Sequence, residues 1–198
     1  MWAIVKNKQV IQLISNPRPV VVNDTTHSKD IFIHWTKAER KKIGVYDFIP
    51  GEIPDNRFET PTTVSYKVDD SKGTVTETIN KKDKVLDDKT VDEIVTKGLK
   101  TIYTEQIQRQ AASLLTSTDW MVVRKAEDSS KSVPSAVTTY RASVRTEADK
   151  IVKAIDDCDT LDKLKALFVT EYNKDGSVKT LATMQTLPSD KDIEEYKR

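Results

Sequence analysis

Cysteine is almost missing from this chain, since Cys158 stands alone among 198 residues. One thiol excludes an internal disulfide and any zinc site built from several cysteines, and it fits assembly in a reducing cytoplasm. Histidine is nearly as scarce. His27 lies in a polar stretch and His34 beside Trp35, a pairing without the spacing of a metal site or catalytic dyad. A glycine-rich phosphate loop, a Gly-x-Ser-x-Gly turn and a His-Glu-x-x-His helix are all missing. Carboxylates are plentiful, but Asp69-Asp70, Asp87-Asp88, Asp156-Asp157 and Asp159 fall at expected turns and helix ends, where they cap and solvate. Asp69-Asp70-Ser71-Lys72-Gly73 lacks the remaining oxygen ligands of a calcium loop. Asn23-Asp24-Thr25 matches a glycosylation sequon, which has meaning only in a secreted chain. The expectation is a protein that is not an enzyme, with no catalytic residue, metal or cofactor.

A charge of one sign is also lacking. Thirty-two Lys and Arg against 31 Asp and Glu leave a formal charge of +1, so no net field draws the chain to nucleic acid or an anionic membrane. No apolar run approaches the roughly 18 residues that span a bilayer. The opening Met1-Trp2-Ala3-Ile4-Val5-Lys6 lacks the apolar length of a signal peptide. A soluble, unprocessed chain is expected, with neither nucleic acid nor membrane as partner. With 37% hydrophobic and 32% charged residues, small cores under a large wetted surface fit better than one compact ball.

The N-terminal part reads as β-rich. Short apolar runs at 2–5 and 10–14 flank a Lys6-Asn7-Lys8 turn and predict a hairpin. Asn16-Pro17-Arg18-Pro19 stops the second strand, and 20–22 and 31–33 offer further extended runs. Thr36, Glu39 and Gly44 supply the N-cap, capping-box partner and left-handed exit of a two-turn helix. Alternation over 62–68 and 74–79, around the turn at 69–73, predicts a second hairpin. These features place a β-rich domain at 1–80 and a charged linker at 81–89.

Beyond that linker the apolar spacing becomes helical. Val91, Ile94, Val95, Leu99, Ile102, Ile107, Ala111 and Leu114 predict a long helix over 90–115, with Gly98 marking a bend or close contact. Thr118 as N-cap and Asp119 in the first turn predict a restart to about Glu127. Val133-Pro134 opens a further helix with the stripe Val137, Tyr140, Val144, Ala148, Ile151, Val152 and Ile155. A helical hairpin region is therefore expected at 90–157. A small helical C-terminal extension is expected at 158–198, with a helix after Asp159 or Thr160, a small strand at 178–181 and a terminal turn from Ser189. The fold class read from this order is α+β.

In the hairpin, Trp120 and Tyr140 plug the space between two helices, while Arg124, Glu127, Arg141 and Arg145 are placed to make ion pairs across it. As a pattern, Thr118-Asp119-Trp120, Arg124, Glu127, Val133-Pro134, Tyr140-Arg141 and Val144-Arg145 resemble the helical hairpin of bacteriophage tail proteins and tail-fibre assembly proteins. Trp2-Ala3-Ile4-Val5-Lys6-Asn7, Pro17-Arg18-Pro19, Ile31-Phe32, Trp35, Ile43-Gly44-Val45-Tyr46 and Arg57-Phe58 resemble the small domain that often precedes it. The resemblance covers about residues 1–145. It implies a virion structural protein of the tail, an adaptor or fibre-associated component assembled in the host cytoplasm and oligomeric on the particle. Its partners would be other tail or fibre proteins. The alternative it leaves open is a tail-fibre assembly chaperone absent from the finished particle. Trp2, Trp35, Trp120, Arg124, Tyr140 and Arg141 are the residues expected to make protein contacts or to form the hairpin core, with exposed Trp2 and Trp35 filling partner pockets.

Overall fold

The computed structural model describes residues 1–197, so Arg198, the last residue of the expected C-terminal extension, lies outside the described residues. The fold is α+β, a β-rich N-terminal region followed by long helices. The chain divides into two compact units, Met1–Asp83 and Lys84–Arg198.

The first unit is built on a five-stranded sheet in the order Gln9–Ile14, Trp2–Lys6, Val45–Ile49, Thr74–Asp83, Glu59–Asp69. Strands β1 (Trp2–Lys6) and β2 (Gln9–Ile14) form the expected hairpin, turning at Asn7 and Lys8 with φ of 52° and 63°. Positive φ at both central residues matches the right-handed twist of the strands it joins. Strand β3 (Val20–Val22) pairs with β4 (Thr25–His27) through a similar turn at Asn23-Asp24, so the polar stretch that holds His27 ends in a strand. The extended run expected at 31–33 is instead a 3-10 turn, Lys29–Phe32, because the Ser28 side chain caps the Asp30 amide and tightens the backbone.

Helix α1 (Lys37–Lys42) carries the expected reciprocal cap between Thr36 and Glu39, and Gly44 leaves it with φ of 88°. Strand β5 (Val45–Ile49) then runs antiparallel to β1 and parallel to β7 (Thr74–Asp83), which pairs with β6 (Glu59–Asp69) in the second expected hairpin. Strands β1 and β5 are buried on both faces, which is why β1 reads as a continuous apolar run. Ile4 and Val45 join Ile14, Val22, Ile31 and Phe32 on one face, while Ala3, Val5, Tyr46, Phe48 and Val75 form a second cluster on the other.

The second unit opens with a hairpin that sequence periodicity assigned to a helix. Strands β8 (Lys89–Val91) and β9 (Ile94–Thr96) turn at Asp92 and Glu93, with φ of 47° and 66°. The long helix begins only at Leu99, so α2 spans Leu99–Glu127. Gly98 is its N-cap, not a bend in its middle. A Cβ there would lie 2.4 Å from the carbonyl carbon of Asp87, so only glycine admits the crossing segment. That crossing occupies the free amides of the first helical turn. The Val85 and Leu86 carbonyls accept from Leu99 and Lys100, and the Asp88 carboxylate accepts from Gly98.

The break expected near 116–118 is also missing. Thr116 returns its hydroxyl to the Ala112 carbonyl and Thr118 donates to the Leu115 carbonyl, so these side chains are satisfied inside a continuous helix. Helix α3 (Ser135–Asp156) follows a short connection and packs on α2, and its buried residues are Val137, Tyr140, Arg141, Val144, Ala148, Ile151 and Ile155. The remaining chain forms α4 (Leu161–Ala166), capped by Thr160, and a small β-hairpin of β10 (Glu171–Tyr172) and β11 (Val178–Thr180). Two 3-10 turns, Thr183–Gln185 and Lys191–Tyr196, complete it, so the extension is less helical than expected.

Candidate functional site

The residues of the Thr-Asp-Trp and Tyr-Arg segments meet on one stretch of the α2–α3 hairpin. Arg141 comes from the inner face of α3, one position after Tyr140, and is only 7% exposed. Its guanidinium reaches across to α2 with three short bonds. One terminal nitrogen donates to the Leu115 carbonyl at 2.8 Å and to the Thr118 hydroxyl at 2.7 Å, and the other donates to the Asp119 carboxylate at 2.8 Å. Thr118 is fully buried, and its hydroxyl accepts from Arg141 while donating to Leu115. The fork of a guanidinium suits this arrangement, because two acceptors on one turn and a carboxylate beside them match its planar donors.

The carboxylate partner is not buried as the guanidinium is, for the Asp119 side chain is 54% exposed. The cluster therefore keeps its cation inside, held by oxygen dipoles, while the compensating anion remains in solvent. Removing an acceptor leaves a buried charge short of a partner, which costs far more than the pair's own net contribution.

Of the four charged residues expected to pair across the hairpin, Arg141 does so, but its carboxylate partner is Asp119, which was expected only as a first-turn acid. Arg124 instead lies over the Trp120 ring of its own helix, with 5.0 Å between guanidinium carbon and ring centroid. Arg145 donates to the Arg141 carbonyl at 3.4 Å. Trp120 is half-buried rather than a full plug, and Met121 next to it takes the buried position.

Tyr140 is buried as expected, and its hydroxyl makes no hydrogen bond among the described residues. Burial pushes its pKa up, the nearby Asp190 carboxylate adds to that, and Lys197 opposes it. The ring borders a cavity of about 430 Å³ also lined by Ser135, Thr139, Ser143 and Pro188. Cys158 is buried too, its thiol donating to the Ala154 carbonyl, and burial raises its pKa as for an inert packed side chain.

Trp2 and Trp35 fall elsewhere and differ from expectation. Both are half-buried against the apolar cluster of the first unit, Trp2 at 4.7 Å from Phe32 and Trp35 edge-on to His27 at 6.0 Å. Their rings are part of that core and are half-buried, where full exposure was expected. Exposed apolar side chains gather on strand hairpins instead, as Val64 and Tyr66 on β6 and as Val91, Ile94 and Val95 on β8–β9. Periodicity missed the second group because it counted those three residues in a helix. The signal available was the Asp92-Glu93 pair flanked by apolar residues, a hairpin turn without its usual glycine.

Among the described residues no three metal-ligating side chains cluster, and no helix is long and apolar enough to cross a membrane. Comparison with known proteins finds no matching family model, no matching curated protein and no matching solved structure.

Proposed function

We propose that this chain is a bacteriophage tail protein, an adaptor or tail-fibre-associated component of the virion that works through contacts with other tail or fibre proteins. The observation that carries the reading is the meeting of Thr118, Asp119 and Arg141, since these three of the residues that carry the resemblance act together as a unit. A motif made of scattered surface positions would have no such common physical role. The clamp's role is structural: it holds the helical hairpin in one register and leaves recognition to exposed surfaces.

On the particle the chain is proposed to be oligomeric, with neither nucleic acid nor membrane among its partners. Near-neutral charge and apolar hairpins in solvent support contacts with protein. Mass spectrometry of gradient-purified particles tests the proposal. The expected result is this chain at a defined copy number. Abundance in infected cells with none in particles would replace the virion reading with that of a tail-fibre assembly chaperone.

A further inference from the structure

We propose that the open edge of β9 pairs with β9 of a second copy, antiparallel about a two-fold axis through Val95, giving a four-stranded sheet from two β8–β9 hairpins. This deepens the oligomeric part of the reading above by naming the surface, and it rests on that reading only for its setting on a particle.

The hairpin is a two-stranded sheet with every strand residue exposed, including Val91 at 52%, Ile94 at 71% and Val95 at 58%. Two strands alone are marginal in water, and apolar side chains left in solvent on a free edge invite a further strand. This hairpin is also firmly rooted. Residues 85–88 grip the first turn of α2 through the Gly98, Leu99 and Lys100 amides, so the edge is presented by a long helix rather than a loose loop.

Register decides which edge pairs. Val91 and Ile94 flank the two-residue turn and face each other, followed by Thr90 with Val95. In such a hairpin the flanking pair exchanges its backbone bonds inward, so the Val95 N–H and C=O point away from β8 into solvent. A two-fold axis there sets Val95 against Val95 of the second copy, and these groups satisfy one another. It also sets Ile94 against Thr96 and brings Glu93, in the turn before β9, towards Lys97, just past its end, the latter twice by symmetry. Opposite charges meet at both ends of the new pairing. Lys97 already holds Glu105 of its own helix, so it would sit between that carboxylate and Glu93 of the second copy. The same operation on the β8 edge, about Thr90, sets Asp88 against Asp92 at both ends. Like charges there disfavour that edge, which selects β9. Three residues a side make a small contact, so the pair is weak alone and gains from copies held close together.

Sedimentation velocity of the full chain, from about 10 μM to about 1 mM, provides the test. The expected result is a monomer moving to dimer with concentration. Glu93→Lys or Lys97→Glu alone places like charges opposite each other and should raise the dissociation constant by roughly tenfold, while the double exchange recovers dimerisation. Glu93→Lys should unfold at the wild-type temperature, because that side chain is exposed, whereas Lys97→Glu sets a carboxylate beside Glu105 and should unfold slightly lower. As a second measure, mild oxidation should cross-link the Val95→Cys chain faster than a Val178→Cys chain, which places its thiol on another exposed strand. A chain monomeric throughout, single exchanges without effect, or a double exchange that fails to recover would overturn the proposal. None of these results bears on whether the chain is found in particles, so the two readings fail separately.

Discussion

The α2–α3 clamp and the β8–β9 hairpin invert one another. In the clamp a charged side chain lies inside, with Arg141 bonded to two oxygens of a single helical turn and to a carboxylate at the surface. In the hairpin apolar side chains lie outside, and a strand edge faces solvent. The two features belong to one helix, α2, whose first turn holds the hairpin and whose later turns accept the guanidinium. The contrast teaches where each kind of specificity resides. A satisfied buried polar group fixes one internal register, whereas an unsatisfied exposed edge is free to choose a neighbour.

The largest effect expected from breaking this contrast is at Arg141. Arg141→Ala removes the fork and the packing of its stem, and it should lower stability by about 3 kcal/mol in urea denaturation. Gly98→Ala comes next, at about 2 kcal/mol, since its Cβ meets backbone that cannot easily retreat. That variant should also free the root of the hairpin, visible as faster exchange of the Leu99 and Lys100 amides. Trp120→Ala sharpens the comparison from the other side. A ring wholly enclosed between helices would cost about 3–5 kcal/mol, but a half-buried ring stacked under Arg124 should cost about 1–2 kcal/mol by thermal denaturation.

The smallest effect concerns pH. The amide of Gly98, and then the hydroxyl of Thr101, hold the Asp88 carboxylate below its usual range. A depressed folded-state pKa means that its contribution is complete above the ordinary carboxylate value of about 3.9 and is lost as pH falls through the lowered one. Amide chemical shifts of Gly98 followed from neutral to acid pH should therefore move only in the acid range. Movement near neutrality would contradict the assignment.

Much of the first unit was legible in sequence because its signals are local. The apolar run of β1, the Thr36–Glu39 cap and the alternation of β6 and β7 each act within a few residues. The second unit was harder to read for two physical reasons. Val91, Ile94 and Val95 are spaced as a helix face would be, yet the same spacing wraps a two-residue turn, and only the positive φ of Asp92 and Glu93 separates the readings. Thr116 and Thr118 carry hydroxyls that commonly cap helices, but here they bond backward and let α2 continue. At the candidate site, the resemblance to tail proteins picked out Trp120, Tyr140 and Arg141. It left open which charges pair, since Arg141 meets Thr118 only once the helices adopt their packed register. Trp2 and Trp35 are less exposed than expected because composition alone does not reveal that a three-residue strand and a 3-10 turn pack in the same cluster.

Amide hydrogen exchange over the whole chain, measured at low and high protein concentration, tests the inversion most directly. The account predicts that amides of α2 and α3 around Leu115, Thr118 and Arg141 exchange slowest at both concentrations, while the Val95 amide gains protection only as concentration rises. Fast exchange around Thr118, or a Val95 amide indifferent to concentration, would contradict it.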